Sequence, residues 1–207
     1  MDQARQPIIK SMEKYRNSGG GAAQQRGFTL TELLVTMAIL VILVAIGAPQ
    51  MQTFLIQRSV ASQAETFAEA VRLTRSEAIK RGVRVTICTS ADPAASTPTC
   101  SSQGNTADWG RGWVIFVDDG ANVGDFDAGE TIIRVEQAFN SSGGIKTTDG
   151  QPRISFTPNG MALGFNGSFK VAPHMTGAEA TADINNRCVV LSNAGRLQIL
   201  KQVCASS

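Results

Sequence analysis

The stretch Gly27-Phe28-Thr29-Leu30-Thr31-Glu32-Leu33-Leu34-Val35 opens an apolar segment that continues to Pro49. From Phe28 to Ala48 there are 21 residues, and a helix of that length spans roughly the hydrocarbon core of a bilayer. Its only charged residue is Glu32. A carboxylate inside an apolar segment is costly enough to favour a polar partner over contact with lipid. The segment is therefore predicted to be a membrane-spanning helix with one functional carboxylate.

The residues before this helix are polar and basic, and they end in Gln24-Gln25-Arg26-Gly27. An ordinary secretory signal peptide places its small-residue cleavage site after the apolar region, whereas here the small residue precedes it. Positive charge before the helix predicts a cytoplasmic N-terminus and an exported C-terminal domain. Met12 is an alternative start that shortens the leader to 16 residues, and the sequence alone leaves the choice of start open.

Gly27, Phe28 and Glu32, with the apolar helix after them, resemble the start of type IV pilins and pseudopilins. In that superfamily a prepilin peptidase cuts after a glycine, and the fifth mature residue is glutamate. The resemblance implies a leader of residues 1–27, a cut between Gly27 and Phe28, and methylation of the Phe28 amine. It also implies that Glu32 pairs with the Phe28 amine of a neighbouring subunit in a filament. An ordinary signal anchor is the alternative interpretation.

Length and charge limit the size and character of the chain beyond the anchor. Removing the leader from 207 residues leaves 180, of which the predicted helix takes about 50, so a single domain of ordinary size remains. The leader holds five basic and two acidic residues, so removing its net charge of +3 from the chain's +2 leaves a mature chain of −1. The net positive charge of the whole sequence therefore comes from the leader.

The second half of the helix is predicted to be amphipathic. Pro49 removes one backbone donor, which predicts a kink or a short break between Ala45 and Pro49. Residues 28–48 then form the transmembrane and assembly helix, and residues 49–81 the amphipathic helix. One face, expected to pack on a sheet, holds residues spaced by three and four: Val60, Ala64, Phe67, Val71, Thr74 and Ala78. Polar residues lie largely off this face: Arg58, Gln63, Arg72, Arg75 and Lys80.

From Gly82 the apolar period changes to two, which predicts a β-rich domain over residues 82–207. The expected fold class is α+β, with a long N-terminal helix packed on an antiparallel β-sheet domain. The predicted strands are Val83–Cys88, Gly112–Asp118, Thr131–Phe139, Ile154–Thr157, Ser168–Val171, and a closing hairpin from Cys188–Leu191 back through Leu197–Val203. A loop is predicted from Thr89 to Asn105.

Two further segments resemble the GspH/FimT group of minor pilins. They are residues 70–81 and the positions Trp109, Gly110, Gly112 and Trp113. The resemblance implies a minor pilin that is incorporated into a type IV pilus; a pseudopilin H of a type II secretion system is the alternative. The implied partners are other pilins, the prepilin peptidase and the bacterial inner membrane, which the chain crosses once with its C-terminal domain in the periplasm.

The cysteines lie in the predicted exported part: Cys88, Cys100, Cys188 and Cys204. An even number on the oxidising side of a membrane predicts disulfides. Of the three pairings that four cysteines allow, the simplest joins sequence neighbours. Zinc binding is the competing use, but the spacings are not of the C-x-x-C type, and the lone His174 is far from either pair. No metal is expected.

An acidic segment runs from Asp118 to Glu130. Counted from Asp119, Gly124 and Glu130 fall at positions six and twelve of an EF-hand loop. Positions three and five are Ala121 and Val123, which offer no side-chain oxygen. A solvated turn between two strands is therefore predicted, and calcium binding there is left open.

DNA binding is a second hypothesis. Some members of the GspH/FimT group contact DNA through a C-terminal Gly-Arg-x-Arg pattern. The matching residues here are Gly195, Arg196, Leu197 and Gln198, so the second arginine is replaced. By this resemblance Arg196 is a candidate DNA contact. Lys201 and Arg187 are further candidates if they lie on the same face as Arg196, although at period two Lys201 is expected to face the opposite way. A mature chain with a charge of −1 has few cations to neutralise phosphates.

Catalysis is not expected. No Ser/His/Asp or Cys/His arrangement, phosphate-binding glycine loop or H-E-x-x-H motif occurs in the sequence. The chain is predicted to be non-enzymatic and to need no cofactor.

Overall fold

A computed structural model describes residues 27–101, 108–140, 142–174 and 182–205. Residues 1–26 of the predicted leader, and with them the Met12 alternative, lie outside these residues, as does the end of the loop predicted up to Asn105. The described chain contains one α-helix, α1 (Leu30–Arg81), two short 3-10 helices (Trp109–Arg111 and Asp183–Asn185), and nine strands. They are β1 (Val85–Thr89), β2 (Gly112–Val117), β3 (Ile132–Gln137), β4 (Ser142–Thr147), β5 (Arg153–Phe156), β6 (Ala162–Leu163), β7 (Gly167–Pro173), β8 (Arg187–Leu191) and β9 (Leu197–Leu200).

Helix α1 begins at a capping residue. The hydroxyl of Thr29 accepts the backbone N–H of Glu32 at 3.2 Å, and its carbonyl accepts that of Leu33 at 3.1 Å. This satisfies donors that the first helical turn leaves unpaired. Glu32 lies in the first turn, where its charge complements the helix dipole.

The helix is continuous through Pro49, so the prediction of a short break was wrong. A proline removes only one donor from the helical ladder, and the bonds on either side of it are enough to keep the element intact. The chain divides into two compact units, Met1–Ile46 and Gly47–Ser207. The boundary between them therefore falls inside α1.

The predicted apolar face of the second half of α1 is confirmed. Each of its six residues, from Val60 to Ala78, is at most 1% exposed. Gln63, placed off this face by the sequence analysis, is also buried. Its amide is accommodated because the side-chain nitrogen donates to the hydroxyl of Ser59 at 3.0 Å.

The strands form two antiparallel sheets. The first has the order β3-β2-β1-β5-β6 and the second the order β4-β7-β8-β9. The predicted α+β class is therefore confirmed. Two strands were not predicted: β4, which has two glycines that strands disfavour, and β6, which has only two residues. Strand β1 was expected to alternate between a buried and an exposed face, but it is buried throughout.

Phe67 of α1 lies at the centre of the core. Its ring centroid is 5.5 Å from that of Trp113 in β2 and 4.6 Å from that of Phe169 in β7. A third ring, Trp109, lies 5.3 Å away. One helical side chain thus contacts residues from both sheets.

The predicted disulfides are present, and of the three pairings that the sequence left open they form the simplest one, Cys88 to Cys100 and Cys188 to Cys204. The first ties the loop after β1 to that strand. The second ties the segment after β9 to β8, where the backbone N–H of Val203 also donates to Asp183 at 2.8 Å.

We expect Phe67→Ala to lower the free energy of unfolding by about 3–5 kcal/mol, because it leaves a cavity between the two sheets. Thermal unfolding of the full chain in non-ionic detergent, followed by tryptophan fluorescence, measures this. Phe54→Ala is the matched control, since Phe54 is on the same helix and 49% exposed. Equal effects of the two substitutions would contradict the central position of Phe67.

Candidate functional site

The first candidate site is the start of α1. Gly27 and Phe28 precede the helix in an irregular segment, and the Phe28 side chain is 81% exposed. The peptide bond between them is therefore accessible to a protease. The described side chains from 27 to 48 are all exposed, and the helix is long and apolar enough to cross a membrane.

Glu32 stands out in this apolar segment. Within the described part of the chain, its carboxylate lies in none of the ion pairs. A carboxylate moved into an apolar environment needs a cation or a hydrogen-bond donor to offset the loss of water.

The second candidate site is a cleft of about 490 Å³ between the last turns of α1 and the turn that joins β8 to β9. We call it the arginine cleft, because among the described residues three arginines line it and no acidic residue does. Its lining residues are Val71, Arg72, Arg75, Ser76, Ile79, Phe156, Ala194, Gly195, Arg196 and Leu197.

Arg75 holds the cleft together. Its Nε donates to the carbonyl of Gly160 at 2.9 Å, and its Nη2 donates to the carbonyl of Ala194 at 3.4 Å. Gly195 has a φ of +74°, and a Cβ there would lie 2.5 Å from the Gly160 oxygen. Glycine is therefore required for the hairpin turn to approach α1 this closely.

The other two arginines of the cleft are exposed and unneutralised. Among the described residues, neither Arg72 nor Arg196 has a carboxylate within ion-pair distance. Most arginines elsewhere in the domain do have one. Those pairs are Arg81 with Glu77, Arg84 with Asp118, Arg134 with Glu136, and Arg153 with Asp125.

The three predicted DNA contacts do not form one patch. Leu191 pairs with Leu197 and Cys188 with Leu200, so Arg196 is at the turn end of the hairpin, whereas Arg187 and Lys201 are at its open end. At about 3.3 Å per residue the two ends are roughly 15 Å apart. The Arg187 guanidinium donates to the carbonyls of Ile184 and Asn186, and burial lowers its pKa.

Arg196 is joined instead by Arg72 and Arg75, which the sequence analysis placed only on the polar side of α1. Their spacing of three residues did indicate a shared helical face. Nothing in the sequence indicates that the β8–β9 turn meets that face, since the contact joins residues 119 positions apart.

Most carboxylates of the acidic segment accept hydrogen bonds from groups within the segment or next to it. Asp118, predicted to be solvated, is 2% exposed, because it pairs with Arg84 at 3.0 Å and accepts from the hydroxyl of Thr86 at 2.6 Å. Glu130 accepts backbone N–H groups of Asp119, Gly120 and Asp127. The side chain of Asn122 donates to Asp127 at 2.7 Å and is the main cause of that carboxyl's lowered pKa. These carboxylates stabilise the turn.

Two family models match this chain. The model described as type II transport protein GspH matches residues 63–195, and the model of the prokaryotic N-terminal methylation motif matches residues 23–48. The first match alone covers more than half of the chain. The chain belongs to the GspH family. The match to the methylation motif includes the predicted cleavage bond and most of the apolar segment of this GspH-family chain.

Two crystal structures of the type IV minor pilin FimU from Pseudomonas aeruginosa are similar to this GspH-family chain. One aligns with a TM-score of 0.54 at 20% identity, covering 74% of this chain and 98% of FimU. The other aligns with a TM-score of 0.50 at 21% identity, covering 70% and 98%. At these identities the similarity establishes the fold alone, which is the predicted pilin fold.

These findings confirm the predicted family. The GspH-family chain is of the pilin and pseudopilin class, whose members assemble with other pilins in a filament. Its methylation motif indicates processing by prepilin peptidase. Together with the apolar helix, the motif indicates a membrane anchor followed by a globular C-terminal domain.

We expect Arg75→Met to lower the free energy of unfolding by about 1–3 kcal/mol, because it leaves the buried carbonyl of Gly160 without its donor. Arg72→Met is the matched control on the same helix and should cost less than about 0.5 kcal/mol. Chemical unfolding of the full chain in non-ionic detergent measures both. The role assigned to Arg75 would be wrong if the two variants were equally stable.

Proposed function

We propose that this chain is a minor pilin of a type IV pilus. In this proposal prepilin peptidase removes residues 1–27, and residues 28–48 hold the protein in the bacterial inner membrane with its C-terminal domain in the periplasm. The protein then enters the filament or its tip. The observation that carries the proposal is the methylation motif at the start of α1, where the described apolar side chains from 28 to 48 are all exposed.

The proposed mechanism is mechanical rather than enzymatic. Lipid tails are as apolar as leucine, so apolar helices in a membrane gain little from the hydrophobic effect when they associate. Close packing and polar contacts between helices decide which ones associate. Exposed side chains such as Leu40, Ile42 and Leu43 provide the packing surface.

Glu32 provides the polar contact in this mechanism. It lies one turn into the helix, close in sequence to the new amine at Phe28. A methylated amine is still protonated and still donates hydrogen bonds. Pairing Glu32 with the Phe28 amine of a neighbouring subunit offsets the cost of burying both charges and sets the axial register of the two helices.

A pseudopilin of a type II secretion system is the alternative function, favoured by the description of the matching family model. The similar structures are of a type IV minor pilin, which supports the pilus. The identity of the neighbouring subunits distinguishes the two machines. DNA uptake does not enter the proposed function, because the candidate contacts Arg187 and Lys201 lie at the opposite end of the hairpin from Arg196.

We expect Glu32→Ala to reduce the co-purification of other pilins by at least about tenfold, since it leaves a buried amine unpaired. Detergent-solubilised membranes and affinity capture of the variant measure this. The mature mass and membrane fraction should be unchanged. Glu65→Ala, which removes an exposed glutamate from the same helix, is the matched control. Normal co-purification with Glu32→Ala would contradict the role of Glu32.

A further inference from the structure

The arginine cleft contains positive charge that no described part of the chain neutralises. Arg72 and Arg196 face it from opposite walls, one on α1 and the other beside the β8–β9 turn. Glu69 lies one turn before Arg72 on the helix but is not within ion-pair distance of it. Guanidinium groups present paired N–H donors that match the two oxygens of a carboxylate or phosphate. The cleft is therefore suited to an anionic group.

The cleft is also apolar between its arginines. Ile79 is 51% exposed and Leu197 is half-buried, while Val71 and Phe156 are buried beneath them. A volume of about 490 Å³ lies within the range of sites that bind small ligands or short peptide segments. An apolar side chain and a neighbouring anionic group fit such a surface together.

Arg75 keeps this surface in place. Its guanidinium is held by the carbonyls of Gly160 and Ala194, so the wall that contains Arg196 is tied to α1. The two walls that contain Arg72 and Arg196 are thereby held together before any ligand binds, which lowers the ordering cost of binding.

The chemistry of the cleft favours a peptide over a nucleic acid. Single-stranded nucleic acids bind to exposed aromatic side chains on which bases stack, and the one aromatic residue of the cleft, Phe156, is fully buried. Sequence-independent binding to a duplex requires many cations. The cleft supplies three, on a mature chain of net charge −1.

We propose that the arginine cleft is a docking site for an acidic peptide segment of a neighbouring pilin subunit. An apolar side chain of that segment lies against Ile79 and Leu197, and an adjacent carboxylate binds Arg72 and Arg196. This proposal rests on the proposed function, which supplies the neighbouring subunit.

The test uses the full-length protein in native membranes with p-benzoylphenylalanine in place of Ser76, an exposed residue of the cleft. After irradiation, mass spectrometry identifies the crosslinked partner peptide. We expect a peptide of another pilin, attached within about two residues of an Asp or Glu. In an Arg72→Gln, Arg196→Gln double variant the crosslinked product should fall about tenfold. The matched control is Arg111→Gln, an exposed arginine outside the cleft, which should leave the yield unchanged.

Several results would overturn the proposal. One is a crosslink to a partner segment that has no Asp or Glu nearby. Another is a crosslink yield that stays the same in the Arg72→Gln, Arg196→Gln double variant. A third is a crosslinked product that nuclease digests, which would assign the cleft to nucleic acid. Absence of any product while other pilins still co-purify would overturn the docking site and leave the proposed function standing. Loss of co-purification with the unsubstituted protein would contradict both.

Discussion

The structure depends on one helix, α1, whose first half is apolar and exposed and whose second half packs into the β-rich domain. The first half of α1 exposes an apolar surface that the described chain does not cover, and water is a poor solvent for such a surface. The second half buries a narrow face from Val60 to Ala78 in the domain. In the proposed function, processing after Gly27, anchoring in the membrane and assembly with other pilins all depend on this first half. The position of the two sheets depends on the second.

The domain is stabilised by aromatic packing in its core and by disulfides. Phe67 joins α1 to residues of both sheets, and two disulfides close the loop after β1 and the segment after β9. In the chain-entropy model each disulfide of this loop length contributes about 3 kcal/mol. The acidic turn after β2 adds a buried carboxylate with its own arginine, so that charge is placed inside the fold without being left unpaired.

Local patterns predicted most of this architecture. The helical periodicity located the buried face of α1, the β-prone segments located seven of the nine described strands, and the cysteine spacing favoured the pairing that is found. The misses have physical causes. A glycine-rich strand such as β4 is held by its neighbours rather than by its own propensity. The burial of Asp118 depends on Arg84 and Thr86, which precede it by about 30 residues. The arginine cleft depends on a helix and a hairpin turn that meet only in the folded chain.

In the proposed type IV pilus, helices of other pilins cover residues 28–48. The most direct test is a photo-crosslinker at Val41, which is 64% exposed in the described chain, with the captured partners identified by mass spectrometry from native membranes. We expect crosslinks to the corresponding apolar helices of the major and minor pilins of a type IV pilus. Crosslinks to lipid alone, in cells that assemble the filament, would contradict it.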